Sequence, residues 1–226
     1  MNQELISEGK CVFCEELLEK SKINTHLKKH LKDFLKQEPL GTSFLLQIFT
    51  YPNYKKSPYF IYLLVDGEAK MKDIDGFLKD IWLDCCGHMS EFEGRIAKSR
   101  KLVDILEKGM DVGYEYDFGS TTYLQIKVVE EFSYKSPKKI YLLSRNEPLK
   151  LMCHTCKEQP ASVMCSVEQW EDQEHMFCDE CATKHEEVCE DFADYAALPI
   201  VNSPRMGECG YEGGYIDKER DGIFVM

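Results

Sequence analysis

The stretch SFLLQIFTYPNYKKSPYFIYLLV, residues 43–65, decides the fold of this chain. Its two ends are rich in β-branched and aromatic residues, which favour strands over Ser43–Tyr51 and Tyr59–Val65. The segment between them contains two prolines and an asparagine, residue types that favour turns. The stretch therefore predicts two consecutive strands joined by a short connection.

Helical spacing replaces this pattern downstream. Five apolar residues recur at intervals of three and four and predict one buried face of an amphipathic helix: Ile74, Phe77, Leu78, Ile81 and Trp82. A second, shorter helix is predicted over 101–108, with Gly109 placed to cap it. Three more strands are predicted over 114–118, 122–132 and 139–143. We therefore predict an α+β domain, a β-grasp-like arrangement in which a mixed or antiparallel sheet packs on helices.

The cysteines divide the chain into three segments. Residues 40–148 contain the predicted sheet and no Cys-x2-Cys pair, whereas such pairs occur on both sides of it. Pro39 and Pro148 lie at the two boundaries. We predict a small zinc finger over 1–38, the α+β domain over 40–148, and a treble-clef or B-box-like zinc module with an acidic tail over 149–226.

The first segment has the spacing C-x2-C-x11-H-x3-H at Cys11, Cys14, His26 and His30. A Cys-x2-Cys pair presents two thiolates from one tight turn, and histidines four residues apart lie on one face of a helix. Zinc prefers four N and S ligands in a tetrahedron. The pattern predicts a two-Cys, two-His zinc finger.

The helix of this finger is basic, because it carries one acidic residue, Asp33, and six lysines: Lys20, Lys22, Lys28, Lys29, Lys32 and Lys36. Such a face could contact DNA or RNA, although one finger reads only about three base pairs. A protein partner is a second interpretation. A solvated lysine face with a purely structural helix is the third.

In the C-terminal segment, two Cys-x2-Cys pairs predict a four-thiolate zinc site: Cys153, Cys156, Cys178 and Cys181. Such a site has no open coordination position and cannot activate water. The same segment is strongly acidic, with seventeen acidic and five basic residues over 151–226, so it is a poor surface for nucleic acid.

A second C-terminal zinc site follows if the module has cross-brace ligation, in which alternate ligand pairs share an ion. Cys165 would then open one pair and His185 the other. Either His175 or Glu168 could be the partner of Cys165. The partner of His185 is open between two cysteines, Cys189 and Cys209. Two or three zinc ions per chain are predicted in total.

Adjacent thiols precede an imidazole at Cys85, Cys86 and His88. A thiolate beside an imidazole can act as a nucleophile, but no third orienting group is identifiable from sequence. Packing or the lining of a groove is the simpler interpretation. We expect no catalytic residues here and no enzyme, with a groove near Cys86, His88 and Asp117 as the enzymatic alternative.

Composition limits the compartment and the class of protein. The 226-residue chain has eleven cysteines, an odd number, and their paired spacing is typical of metal ligands rather than disulfides. The first residues are polar, and no apolar run is long enough for a membrane span. We expect a cytoplasmic protein that does not bind membranes.

Two motifs of the middle segment resemble the plasmid pRiA ORF-three-like family, some of whose members are labelled TnpR-type passenger proteins of insertion elements. Trp82, His88 and Phe92 resemble the first family motif, and the run YEYDFG over 114–119 resembles the second. The resemblance covers about residues 40–148 and departs at Ser120-Thr121-Thr122, where the family has acidic and Trp residues. The tail NSPRMGECGY, 202–211, is similar to tails of members with an extra zinc module.

This resemblance implies an α+β domain and a prokaryotic, mobile-element source, but no established activity. The sequence as a whole therefore predicts a zinc-binding, non-enzymatic recognition or adaptor protein. Its first alternative is a nucleic-acid-binding regulator that uses the basic finger helix.

Overall fold

The computed structural model describes residues 7–34, 41–51, 55–170 and 175–215. Its centre is a six-stranded sheet in the order β5-β6-β7-β3-β4-β8. The strands of this sheet are β3 (Ser43–Thr50), β4 (Phe60–Asp66), β5 (Ser90–Phe92), β6 (Asp111–Tyr116), β7 (Thr122–Phe132) and β8 (Ile140–Arg145).

Two smaller units flank the central sheet. The first consists of β1 (Glu8–Lys10), β2 (Leu17–Glu19) and helix α1 (Lys20–Phe34). The second consists of β9 (Val163–Cys165), α3 (Ser166–Trp170), β10 (Met176–Phe177), α4 (Asp179–Glu186) and β11 (Ala197–Pro199). The chain is thus a mixed α+β protein, as predicted.

The pairings described in the central sheet are all antiparallel, which is one of the two predicted alternatives, whereas a mixed sheet and the β-grasp-like arrangement are not confirmed. The reason is the connection that follows β4. Helix α2 (Met71–Leu78) and a wider π-helical turn, Lys79–Leu83, carry the chain to β5, which is separated from β4 by three intervening strands. Strands β4 and β5 run in the same direction but do not pair.

The predicted amphipathic helix is present as α2 and its π-helical extension, and all five residues of its apolar face are buried. The helix predicted over 101–108 is wrong. It is a single 3₁₀ turn, Leu102–Asp104, and the backbone leaves helical geometry at Ile105. Leu102 and Leu106 are nevertheless buried, so the apolar spacing identified the buried residues and not the backbone conformation.

Strands β3 and β4 are buried on both faces. On one face, Leu46, Leu63 and Ile126 pack with Phe77 and Trp82 of the α2 connection. On the other face, the apolar side of α1 packs against the sheet. A strand covered on both sides needs apolar residues at every position, which explains the nearly continuous apolar runs at 43–51 and 59–65.

The N-terminal finger is therefore not a separate body. Its helix residues Ile23, Leu27 and Leu31 are fully buried in one cluster with Leu45 and Phe60 of the sheet. Residues 1–6 and 35–40 lie outside the described residues, so the predicted boundary near Pro39 is not observed.

The C-terminal tail returns to the central domain. Ser203 Oγ donates to the carbonyl of Trp82 (2.7 Å), and Asn146 Nδ2 donates to Asn202 Oδ1 (2.6 Å). Tyr211 is 1% exposed. The third predicted domain thus splits structurally into a small module over 151–199 and a tail that packs on the sheet domain.

Among the described residues, no helix is long and apolar enough to cross a membrane.

Candidate metal centres

Every one of the eleven cysteines belongs to one of four Cys/His clusters, and the donor atoms of each cluster lie within 4.8 Å of one another. All eleven thiols are free. Four of the six histidines belong to the same clusters. The clusters are compatible with metal binding, because thiolate and imidazole are the ligands preferred by zinc and similar ions.

The N-terminal cluster contains the four predicted residues Cys11, Cys14, His26 and His30. The Cys-x2-Cys turn closes between β1 and β2, where Glu15 N–H donates to the Cys11 carbonyl (2.8 Å). His26 Nε2 lies 3.2 Å from Cys14 Sγ and 3.0 Å from His30 Nε2. A β-hairpin and a helix thus bring the four donors together as the spacing predicts.

The lysines of α1 differ in how accessible they are. Lys20 donates to the carbonyl of Ser57, and Lys28 pairs with Glu130 at 3.3 Å. Lys22, Lys29 and Lys32 are exposed. Lys36 lies outside the described residues. Because the opposite side of α1 is buried in the sheet, these three lysines are the accessible part of the predicted basic face.

The four-thiol cluster joins both C-terminal knuckles: Cys153, Cys156, Cys178 and Cys181. The first knuckle repeats the geometry of the finger, because Lys157 N–H donates to the Cys153 carbonyl (3.0 Å) at a positive φ of 61°. Cys178 precedes α4 and Cys181 lies in its first turn. The Sγ atoms of Cys156 and Cys178 are 3.9 Å apart.

The knuckle amides prepare one of these thiols for ionisation. Burial disfavours the Cys153 thiolate, but N–H groups of Cys156, Cys178 and Thr155 outweigh it and lower the pKa to about 6. Burial and the neighbouring thiols raise the pKa of Cys181 to about 12. Since four thiolates repel one another, a cation in their midst is needed to ionise all of them near neutral pH.

A third cluster brings Cys165 together with His185 and Cys189. The Sγ atoms of Cys165 and Cys189 are 4.0 Å apart. The His185 ring stacks on Phe177, with a centroid distance of 4.3 Å, and its Nε2 is buried without a hydrogen-bond partner. A buried polar atom without a partner costs about 1–3 kcal/mol, which metal ligation would remove.

The structure decides between the alternatives left open for this cluster. Cys189 joins His185, whereas Cys209 lies elsewhere. His175 is not in the cluster: its ring contacts His154 at 5.0 Å, and only its backbone carbonyl accepts from Cys165 N–H. Glu168 is also outside the cluster. The cluster thus has three members among the described residues, and residues 171–174 lie outside that part of the chain.

The fourth cluster was not predicted as a metal site, although Cys86 and His88 were named for the enzymatic alternative. It joins Cys85, Cys86 and His88, which follow the α2 connection, to Cys209 of the tail. His88 Nε2 lies 3.0 Å from Cys86 Sγ and 3.3 Å from Cys209 Sγ. The Sγ atoms of Cys86 and Cys209 are 3.8 Å apart. Of the two alternatives for the partner of His185, Cys209 is therefore the one that does not apply, because the tail carries this residue back to the sheet domain.

A buried ion pair lies behind this cluster. Asp117 Oδ1 is 3.5 Å from His88 Nδ1, and Asp117 Oδ2 accepts from Arg205 Nη2 at 2.5 Å. Arg205 is fully buried and also donates to Thr122 Oγ1 at 3.2 Å. The N–H of Gly119, assisted by Arg205, lowers the pKa of Asp117. The aspartate of the YEYDFG run therefore orients both the histidine and the tail.

The enzymatic interpretation meets a difficulty at this cluster. Cys86, His88 and Asp117 do lie in the order thiol, imidazole and carboxylate. However, hydrogen bonding to Cys209, burial and the neighbouring Cys85 raise the pKa of Cys86 to about 11. An activated cysteine nucleophile needs a lowered pKa, which this environment does not supply for Cys86.

Sequence reasoning missed this cluster because its donors do not have paired Cys-x2-Cys spacing. Cys86 and His88 are separated by one residue, and Cys209 follows 121 residues after His88. The sequence did contain one indication of this site. Cys209 has no cysteine or histidine near it in the sequence, and the thiol-imidazole pair Cys86 and His88 had no assigned metal partner.

No known protein family and no curated protein matches this chain. A solved structure, the crystal structure of the protein of unknown function MM3350 from Methanosarcina mazei Go1, is similar with a TM-score of 0.38 and 13% identity. The similarity covers 47% of this chain and 68% of that chain. A likeness at this level carries no argument, so the resemblance to the plasmid pRiA ORF-three-like family stays a prediction.

Proposed function

We propose that this chain is a non-enzymatic zinc protein, an adaptor or recognition protein whose zinc centres fix small modules on the central sheet. The observation that carries the proposal is the four-thiol cluster, in which two knuckles more than twenty residues apart meet within 4.8 Å. Four soft ligands favour zinc over the hard ions Mg²⁺ and Ca²⁺, which prefer oxygen.

A structural rather than catalytic role follows from the ligand count. Four protein ligands complete the tetrahedral shell of zinc and leave no position for water or substrate. This holds for both predicted four-residue sets, Cys11/Cys14/His26/His30 and Cys153/Cys156/Cys178/Cys181. The role as an adaptor rests on this closed ligation and on the exposed faces that the fixed modules present.

The test is the zinc content of the full chain after purification in reducing buffer without chelator. About two to three zinc ions per chain are expected from the predicted centres. Cys178→Ser should lose about one ion, whereas Thr183→Ala, an exposed position on the same helix, should keep the wild-type content. Less than one zinc ion per wild-type chain would overturn the proposal.

Nucleic-acid binding is a second candidate, and the observation that favours it is the exposed row of Lys22, Lys29 and Lys32 on α1. A contact of this kind releases counterions from phosphates and depends strongly on salt. Lys28 is a poor test residue because it is paired with Glu130.

This candidate predicts that Lys29→Ala with Lys32→Ala weakens binding to duplex DNA or RNA and reduces the salt slope by about one per lysine. Lys184→Ala, in the acidic C-terminal module, is the matched control and should leave binding unchanged. Binding that is absent at low salt, or that does not respond to salt, would remove the candidate.

A further inference from the structure

We propose that Cys85, Cys86, His88 and Cys209 form a further zinc centre, which fastens the C-terminal tail to the central domain. This centre lies apart from those on which the proposed function rests. Its donors come from two segments that are 121 residues apart at His88 and Cys209, and they lie within 4.8 Å of one another. Three thiolates and one imidazole are a common structural ligand set for zinc.

The orientation of His88 supports ligation. Its Nε2 faces the sulfurs, and its Nδ1 faces Asp117. Histidines that bind metals usually donate their other ring N–H to a carboxylate, which fixes the tautomer and the ring orientation. Asp117 is held in turn by Gly119 N–H (2.9 Å) and by Arg205. Asp117 is therefore a positioning residue for this centre.

The charge of the surroundings also fits. Three thiolates around Zn²⁺ carry a net charge of −1, and Arg205 Nη2 donates to Cys85 Sγ at 3.8 Å. The guanidinium is fully buried and contacts Asp117 as well. The Arg205 guanidinium thus faces two negative groups, the thiolate shell and the Asp117 carboxylate. These two groups lower the cost of burying the guanidinium.

Local backbone geometry presents the donors. Gly87 has a φ of +83°, and its N–H donates to Asp84 Oδ1 (2.8 Å), so the chain turns sharply between Cys86 and His88. Cys209 has a φ of +50°, which is uncommon for a residue other than glycine. Ligation of the Cys209 thiolate gives a reason for the strained conformation to persist.

A zinc ion at this position would close a large loop. The tail is also held by contacts of Asn202, Ser203 and Arg205 before Cys209, and by Tyr211 after it, which is 1% exposed. Ligation therefore adds a metal anchor between these contacts, so that the small C-terminal module is tied to the sheet at both of its ends.

The test uses the whole 226-residue chain and compares three variants, two at Cys209 and one at Glu212, with wild type. Cys209→Ser should lose about one zinc ion per chain, whereas Cys209→His, which retains a ligand, should keep it. The exposed Glu212→Gln is the matched control on the tail. Trypsin should cleave after Arg205 faster in Cys209→Ser than in wild type, because release of the tail exposes a buried site.

The outcomes separate this inference from the proposed function. Unchanged zinc content in Cys209→Ser, together with a loss in Cys178→Ser, overturns the fourth centre and leaves the proposed function in place. A Cys86–Cys209 disulfide in protein purified without oxidant also overturns it. Loss of zinc in Cys209→Ser but not in Cys178→Ser supports this centre and contradicts the proposed function. His88→Gln removes a second ligand of the same centre, and it should also lose about one zinc ion if the centre exists.

Discussion

Single residues with unusual environments link the candidate metal centres to the sheet. Arg205 is the clearest, because it is fully buried, pairs with Asp117 and lies over the ring of Tyr116 at 5.3 Å. A buried charge is tolerated only when a partner and hydrogen bonds compensate its desolvation. The stability of the tail therefore depends on this residue.

Arg205→Met should destabilise the protein by about 3–5 kcal/mol, because it leaves the Asp117 carboxylate without its main partner. Denaturant unfolding measures the change, and the exposed Arg100→Met is the control. The double variant Arg205→Met/Asp117→Asn should lose less than the sum of the single losses. Additive losses would show that the two side chains are not coupled.

Asp75 predicts a pH dependence. Burial opposes its ionisation, but hydrogen bonds from Ser90, Lys98 and Tyr114 outweigh burial and lower the pKa of the carboxyl. A carboxyl whose pKa is lower in the folded than in the unfolded protein stabilises the fold at pH values above its unfolded pKa of about 3.9. This stabilisation is lost as the pH falls through the pKa of the folded state.

Asp75→Asn should therefore reduce the free energy of unfolding at neutral pH, and the difference from wild type should shrink below about pH 4. Chemical unfolding across this range measures it, with Asp104→Asn on an exposed turn as the control. A difference that stays constant down to the acid limit would contradict the assignment.

Among the elements, helix α1 has two roles on two faces. His26 and His30 point to the finger cluster, and Ile23, Leu27 and Leu31 fill the second face of the sheet. The helix of an isolated zinc finger needs only a small apolar core, whereas α1 shares the larger core of the sheet. The sharing of a core makes the folding of the finger depend on the sheet.

Leu27→Ala should cost about 2–5 kcal/mol in the stability of the whole protein, because it opens a cavity between α1 and the sheet. The exposed Thr25→Ala on the same helix should have little effect. Denaturant unfolding followed by probes in the finger and in the sheet is the measurement. A finger that unfolds separately, with the sheet transition unchanged, would show that the two do not share a core.

At the scale of the whole molecule, the parts differ in what holds them together. The buried residues of the largest core, on the α2 side of the sheet, include no cysteine, although the partly buried Cys85 packs against it. The core of the C-terminal module contains four of its own candidate ligands among only seven buried residues. The sheet domain can therefore be stable without metal, whereas the C-terminal module buries few residues other than its candidate ligands.

Zinc removal by an excess of chelator in reducing buffer should therefore loosen residues 151–199 and leave β3 and β4 protected. Hydrogen exchange followed by mass spectrometry measures both regions in one sample. Protection that is unchanged in the C-terminal module would contradict a structural role for its metal, and restoration by added zinc is the control.

The sequence by itself determined the features that depend on local spacing. Strands β3 and β4, the helix over 71–83 and the three Cys-x2-Cys turns each follow from neighbouring residues, because period and turn geometry act over a few positions. The antiparallel order of the sheet, the burial of α1 against it and the meeting of Cys209 with His88 were decided only by the tertiary structure. These contacts join residues that are far apart in the chain, and the free energy that selects them comes from packing of the complete core.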